Sequence, residues 1–308
     1  MDYAHPRLQA LIARASAQAG TRPDALGVVY PCDALALDAA RRIQDSGMAR
    51  PLLIGPASLI AAAADAAQVD VRDFELVDSG NGAADAALRA CVLARSGTVR
   101  ALMKGSLHTD ELMAAVVNKE AGLRGSSRIS HAFVFDLPRY HKLLALADCV
   151  VNIAPDLKTK KDIVSNAVAL LQKLGIAQPK VGIVTAVEVV NPSIPATLDA
   201  QALVDMARAG AWPGAVVEGP FGFDNAFCAE AARIKKIESQ VAGDADLLVM
   251  PDLNAGNMLY KSFNYVGGGD CAGLVLGAQV PIVLTSRADS LQSRRASVAL
   301  AVLAAAPD

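Results

Sequence analysis

Ser286 and Arg287, in the stretch LTSRAD, come directly out of the apolar run Pro281 to Leu284. A guanidinium at the rim of a buried strand requires an anion, and its planar fork suits phosphate or a developing oxyanion. The alternative is an ion pair with Asp289 or Asp270 that serves only structure. In GPFGFDNAF, Asp224 either caps a helix or orients substrate and moves a proton, and Asn225 can donate a hydrogen bond. AGNMLYK sets Asn257 and Lys261 four residues apart, on one face if the segment is helical. Upstream, MKGSLHT places Lys104, Gly105, Ser106 and Thr109 where a buried strand gives way to a helix. That is either a phosphate cradle of backbone N–H groups and an ammonium, or a capped helix with a solvated lysine. Asn152, in VNIAPDLKTKKD, ends an apolar run where an amide needs a partner; Lys158, Lys160 and Lys161 beyond it meet an anion or form a solvated helix face.

Several chemistries are disfavoured. MKGSLHT lacks the GxxxxGK[ST] spacing of a nucleotide-hydrolysing P-loop. Asp244 and Asp246 lack a third ligand, so no metal site is expected. Five scattered cysteines without CxxC spacing read as buried thiols, and the four histidines show no metal spacing. A formal charge of −2 offers no general attraction for nucleic acid or an anionic membrane, so local cations must hold any anionic ligand. No apolar run approaches about 18 residues, and residues 1–20 lack a signal-peptide core, which reads as a soluble, cytoplasmic protein.

These residues need a framework. Hydrophobic residues make up 53% of the 308, yet aromatics only 4%, so the apolar content is Ala, Val and Leu, as in parallel strands covered by alanine-rich helices. Strands are expected at Leu26–Tyr30, Pro51–Ile54, Phe74–Val77 and Ala101–Met103, alternating with helices at Leu8–Ala19, Ala34–Ser46, Pro56–Ala67 and Ala83–Ser96. Further strands are expected at His131–Phe135, Cys149–Ile153, Val181–Val184, Ala215–Val217, Leu247–Met250 and Pro281–Leu284, and helices near Thr159–Leu174, Ala200–Ala209 and Val298–Ala306. The order implies an α/β chain of two lobes, residues 1–125 plus 279–308 and residues 126–278, each with a mostly parallel sheet and helices on both faces. Ligands bind beyond the carboxyl ends of such strands.

Taken in order, MKGSLHT, NIAPD, the GPxxxDNA pattern, AGDADLL, PDLNAGNMLYKS and VLTSRADS resemble the phosphate acetyltransferase and phosphate butyryltransferase family, closer to the butyryltransferase branch. The resemblance runs from about Val28 to Ala301 and is strongest from Leu102 to Arg287. It implies an isocitrate/isopropylmalate dehydrogenase-like subunit, dimeric or larger, with its active site in a cleft between lobes. It also implies interconversion of acyl-CoA and phosphate with acyl phosphate and CoA, with no metal, no covalent acyl-enzyme and CoA only as a substrate. The resemblance implies that Ser286 and Arg287 act at the reacting centre, and Lys104, Gly105, Thr109, Asn152, Asn225, Asn257 and Lys261 are the expected substrate contacts. The acetyltransferase branch carries an aspartate several residues after the arginine as the proposed base for the CoA thiol. That separation falls on Ser293 here, leaving Asp289 or Asp224. Phe221 and Phe223 stand where the butyryltransferases have a smaller LAL-type run, and either reshape an acyl pocket or pack. Two other readings stay open: a metal-dependent hydroxy-acid dehydrogenase of the same fold, which lacks a GxGxxG turn, and an inactive paralogue that binds CoA and phosphate.

Overall fold

In the computed structural model, residues 3–20, 23–80, 82–284 and 289–306 are described. The chain divides into two compact units. The first comprises Leu8–Ser127 together with the chain from Ala272 onward. The second is Arg128–Cys271 together with the N-terminal residues up to Arg7. The chain forms a mostly parallel α/β sheet structure with helices between the strands.

Along the first unit run α1 (Pro6–Ala19), β1 (Ala25–Val29), α2 (Ala34–Asp45), β2 (Arg50–Gly55), α3 (Ala57–Ala67), β3 (Glu75–Asp78), α4 (Ala83–Arg95), β4 (Ala101–Lys104) and α5 (Thr109–Val116). The second unit follows with β5 (Ser130–Asp136), β6 (Leu144–Ala147), α6 (Leu157–Lys173), β7 (Lys180–Val184), α7 (Pro195–Arg208), β8 (Val216–Phe221), α8 (Phe223–Phe227), α9 (Ala229–Ile234), β9 (Leu247–Val249) and α10 (Leu253–Tyr265). The chain then passes through β10 (Asp270–Leu276) to β11 (Ile282–Val283) and α11 (Leu291–Ala305), back in the first unit.

Strand order in the first unit is β3-β2-β1-β4-β11, every neighbour parallel. Every residue of β1 is buried, which is why it reads as an unbroken apolar run rather than an alternating one. The α2 helix starts where Asp33 accepts a hydrogen bond from the Ala36 amide at 2.8 Å. Its buried residues Ala36, Leu37, Ala40 and Ile43 recur at helical spacing, and Leu37 and Ala40 join Val28, Leu53, Ile60 and Phe74 in one core. In the second unit the order is β5-β6-β9-β7-β8, parallel except for the β5–β6 pair. Its single tryptophan, Trp212, is buried and donates from Nε1 to Ser165 Oγ at 2.8 Å.

Most elements fall where the apolar periodicity places them; several do not, among them α9, which was not anticipated, and α7, which starts five residues before the expected Ala200. The expected strand Cys149–Ile153 is a turn, and the strand lies earlier, at β6. β8 continues through Pro220 to Phe221 rather than stopping at Val217. β10 was not anticipated, because DCAGLVL opens with an aspartate and carries a glycine. α11 begins seven residues before the expected Val298, since its first turns present polar residues such as Gln292 and Ser293. The N-terminal residues also differ from the expected first lobe. Asp136, fully buried at the end of β5, accepts from the Arg7 amide and Nη1 at 2.7 Å each and from Tyr3 Oη at 3.0 Å. A buried carboxylate needs such donors, and the N-terminal residues supply them.

Candidate active site

Among the described residues, Lys104, Asn152, Asp224 and Asn257 lie at or beyond the carboxyl ends of strands, whereas Asp244 and Asp246 precede β9. In the first unit, Val29 of β1 pairs with Lys104 of β4, and Val283 of β11 pairs with Met103, so these three strands end together. Lys104 is half-buried, and its Nζ donates to the carbonyls of Gly105 and Leu107 at 3.2 Å each. The next two amides are already spent: Gly105 N donates to Val29 O and Ser106 N to Tyr30 O, both at 2.9 Å. Ser106 Oγ donates to Tyr30 O at 2.7 Å and accepts from the Cys32 amide at 3.0 Å. A Cβ on Gly105 would stand 2.5 Å from Val29 O, so glycine is what lets the turn after β4 lie against the turn after β1. The expected cradle therefore loses the Gly105 and Ser106 amides to the fold, leaving Lys104 and Thr109 as its ligand-facing candidates. Thr109 is exposed at the start of α5, where Glu111 accepts from the His108 amide at 2.8 Å. Ser286 and Arg287 lie outside the described residues. Asp289 is half-buried, and its carbonyl accepts from Arg294 Nε at 3.3 Å.

In the second unit, Ala147, Val249 and Ile183 lie in register across β6, β9 and β7, and Val184 pairs with Phe221 of β8. Asn152 and Asn257 are brought together just beyond β6, around Asp148 and Cys149. Asp148, 2% exposed, is the hub the sequence reading missed. It accepts from the amides of Val150, Val151, Asn152 and His131 at 2.8, 3.0, 3.3 and 3.3 Å, and from Asn152 Nδ2 at 2.6 Å. The Asn152 amide also reaches Ile129 O at 3.0 Å, so it has found the partner its position demanded, within the fold. From α10, Asn257 Nδ2 donates to Cys149 O at 3.2 Å. A Cβ at Gly256 would fall 2.6 Å from Asp148 O, so the glycine before Asn257 lets α10 approach this turn. Lys261, one turn further along α10, is exposed.

Asp224 and Asn225 stand on a separate element, α8. The Asp224 carboxylate is 55% exposed and lies 3.4 Å from Lys235 Nζ. Asn225 is fully buried, and neither its Oδ1 nor its Nδ2 has a hydrogen-bond partner. Burying an amide without partners costs about 1–3 kcal/mol, so this donor and acceptor stand ready for a group that the fold does not provide. Phe221 and Phe223 pack in the core of this unit, and Phe221 also lines a pocket beside β8. Six of the chain's seven phenylalanines belong to one core cluster of this unit, where Phe223 lies 5.2 Å from Phe227 and 5.9 Å from Phe263.

His131, on β5, is 2% exposed, its ring lies 4.4 Å from Phe133, and its Nδ1 has no partner. Burial pushes its pKa down to about 4, against the opposing pull of Asp148. The unfolded chain, with a histidine pKa of about 6.5, takes up a proton in a range where folded His131 does not. The stability tied to neutral His131 is therefore present above about pH 6.5 and is lost as the pH falls toward 4. Wild type is expected to lose melting temperature more steeply than His131→Gln across that window; parallel curves would show that His131 does not titrate there.

The Asp244 and Asp246 pair is a structural ion cluster. Asp244 meets Lys180 at 2.5 Å, His141 at 2.8 Å and Lys142 at 2.9 Å; Lys142 also lies 2.8 Å from Asp246. Despite the burial that opposes it, these cations hold the Asp244 carboxyl below its ordinary range. Lys160, from the lysine run, is buried on Asp199 at 2.6 Å, while Lys158 and Lys161 are exposed. Among the described residues no cluster of His, Cys, Asp and Glu could hold a metal ion. No described helix is long and apolar enough to cross a membrane.

The chain is similar to known proteins over nearly its whole length. The phosphate acetyl/butaryl transferase family model matches residues 80–304. A phosphate acetyltransferase of Rhizobium meliloti is 49% identical over 96% of this chain and 92% of its own. A phosphate butyryltransferase of Clostridium acetobutylicum is 41% identical over 91% of this chain and 93% of its own. Among solved structures, a branched-chain phosphotransacylase from Enterococcus faecalis V583 superposes with a TM-score of 0.80 at 28% identity, covering 92% of this chain and 99% of that one. The chain belongs to the phosphate acetyl/butyryl transferase family.

Proposed function

We propose that the chain interconverts acyl-CoA and phosphate with acyl phosphate and CoA, as a cytoplasmic homo-oligomer. The observation that carries this reading is family membership over nearly the full chain, whose sequence carries Lys104, Asn152, Asn257, Ser286 and Arg287. An oxygen of hydrogen phosphate attacks the thioester carbonyl carbon, the C–S bond breaks, and the phosphate proton ends on the CoA sulfur. No net proton is released where the thiol, with a pKa of about 8.5, is protonated. Arg287, with Ser286, holds the phosphate and the oxyanion of the tetrahedral intermediate. Lys104 neutralises the bound anion on the first unit, and the Thr109 hydroxyl donates a hydrogen bond to it. Asn152, Asn257 and Lys261 serve the CoA side, with Gly105 shaping the turn that carries Lys104. The unpaired Asn225 amide is suited to a ligand group that both donates and accepts. The thiol proton is exchanged by Asp289, two residues past Arg287, in preference to Asp224, which faces solvent beside Lys235.

The proposal is tested by thiol release from acetyl-, propionyl- and butyryl-CoA with and without phosphate. Release that depends on phosphate, with acyl phosphate formed in equal amount, is expected. Release indifferent to phosphate, or none from any acyl-CoA, would overturn it. Relatives of both the acetyl and the butyryl name exceed 40% identity, so the series also reads which acyl group fits best.

A further inference from the structure

A pocket of about 280 Å³ lies between α2 and α11 in the first unit, and of its lining only Asp289 has a place in the reaction above. Its floor is apolar: Leu35, Ala39 and Ile43, one stripe of α2, with Met103 from β4. Its charged groups are unequally satisfied. Arg42 Nε is held by Asp38 at 2.7 Å, and Arg294 Nε reaches the Asp289 carbonyl. Arg295 differs. It is half-buried, its Nε is closed off from water without a hydrogen-bond partner, and no ion pair reaches its guanidinium among the described residues. A guanidinium N–H closed off from water without an acceptor is a cost to the fold, and a bound anion would supply that acceptor.

An apolar floor beneath one unsatisfied guanidinium fits a charged head on an aliphatic tail. The volume lies just below the usual span of small-molecule sites, so the ligand has a few carbons, and a molecule of the size of CoA does not fit. We infer that this pocket binds a small aliphatic anion, a short-chain carboxylate or acyl phosphate, with Arg295 on the head and Leu35, Ala39, Ile43 and Met103 around the tail. The pocket alone sets the anion and the tail; naming acyl compounds as the class rests on the proposed reaction, which forms them.

Calorimetric titration of the full chain with butyrate, n-butylphosphonate and inorganic phosphate tests this without turnover, so failure of acyl transfer and failure of the pocket are read separately. Wild type is expected to bind butyrate or the phosphonate, the tighter of the two identifying the head group. Arg295→Met, which keeps the aliphatic stem and removes the charge, is expected to weaken that binding at least tenfold and leave the melting temperature unchanged or higher. Ala39→Leu fills the floor and is expected to weaken the tailed ligands while sparing inorganic phosphate. Wild type that binds neither tailed anion, variants that bind like wild type, or an Arg295→Met chain that melts lower would each overturn the inference.

Discussion

Arg287→Ala is expected to lower the rate of acyl phosphate formation by about 10²–10³-fold, or about 3 kcal/mol of transition-state stabilisation, with the fold intact. The reasoning is electrostatic. Negative charge moves from phosphate onto the thioester oxygen as the tetrahedral intermediate forms, and on the proposed reaction the guanidinium of Arg287 stabilises that charge. An arginine that serves the transition state more than the ground state lowers kcat together with kcat/KM, and KM for phosphate rises only where the same group also binds ground-state phosphate. Ser286→Ala should be milder, since a neutral donor contributes less than a charged one. Near-normal kcat in a folded Arg287→Ala protein would remove the arginine from the reacting centre and transfer the burden to Lys104.

Asp148→Ala is expected to destabilise the second unit by about 3 kcal/mol, because the carboxylate satisfies four backbone amides and the Asn152 side chain while itself almost wholly buried. For a unit of this size that corresponds to a drop in melting temperature of about 10 °C. Asp148→Asn keeps one oxygen acceptor and should fall between. Urea unfolding with an unchanged m-value would place the whole effect in stability, and a loss below about 0.5 kcal/mol would show that water takes over the amides. Since Asn152 is oriented by Asp148, KM for acyl-CoA should rise in the same variants if Asn152 serves the CoA side.

The strands and most helices were legible because burial on both faces leaves a local trace: LGVV and LLVM are unbroken apolar runs, and the α2 stripe repeats at helical spacing. The turn after β6 was not legible. In LALADCVVNI Asp148 and Asn152 interrupt the apolar residues, and the role of Asp148 depends on the amide of His131 on another strand, a contact no local pattern reveals. An aspartate within an apolar run was the available signal. Candidate residues at strand ends were readable by type and position, but their contacts were not. Asn152 and Lys104 look alike as candidates in sequence, whereas in the structure the first is committed to Asp148 and the second to two carbonyls of its own turn. Asp244 and Asp246 show the same limit: their lysine partners are far away in the chain.

Trp212 gives the molecule a one-sided optical probe. It is the only tryptophan and lies with its Ser165 contact wholly inside the second unit, whereas the first unit holds Tyr30 and Phe74 as its aromatic residues. Emission above 330 nm during a melt therefore follows one half of the chain, while far-ultraviolet dichroism follows both. The two traces coincide only if the halves unfold as a single cooperative transition, and an offset between them would measure their independence directly.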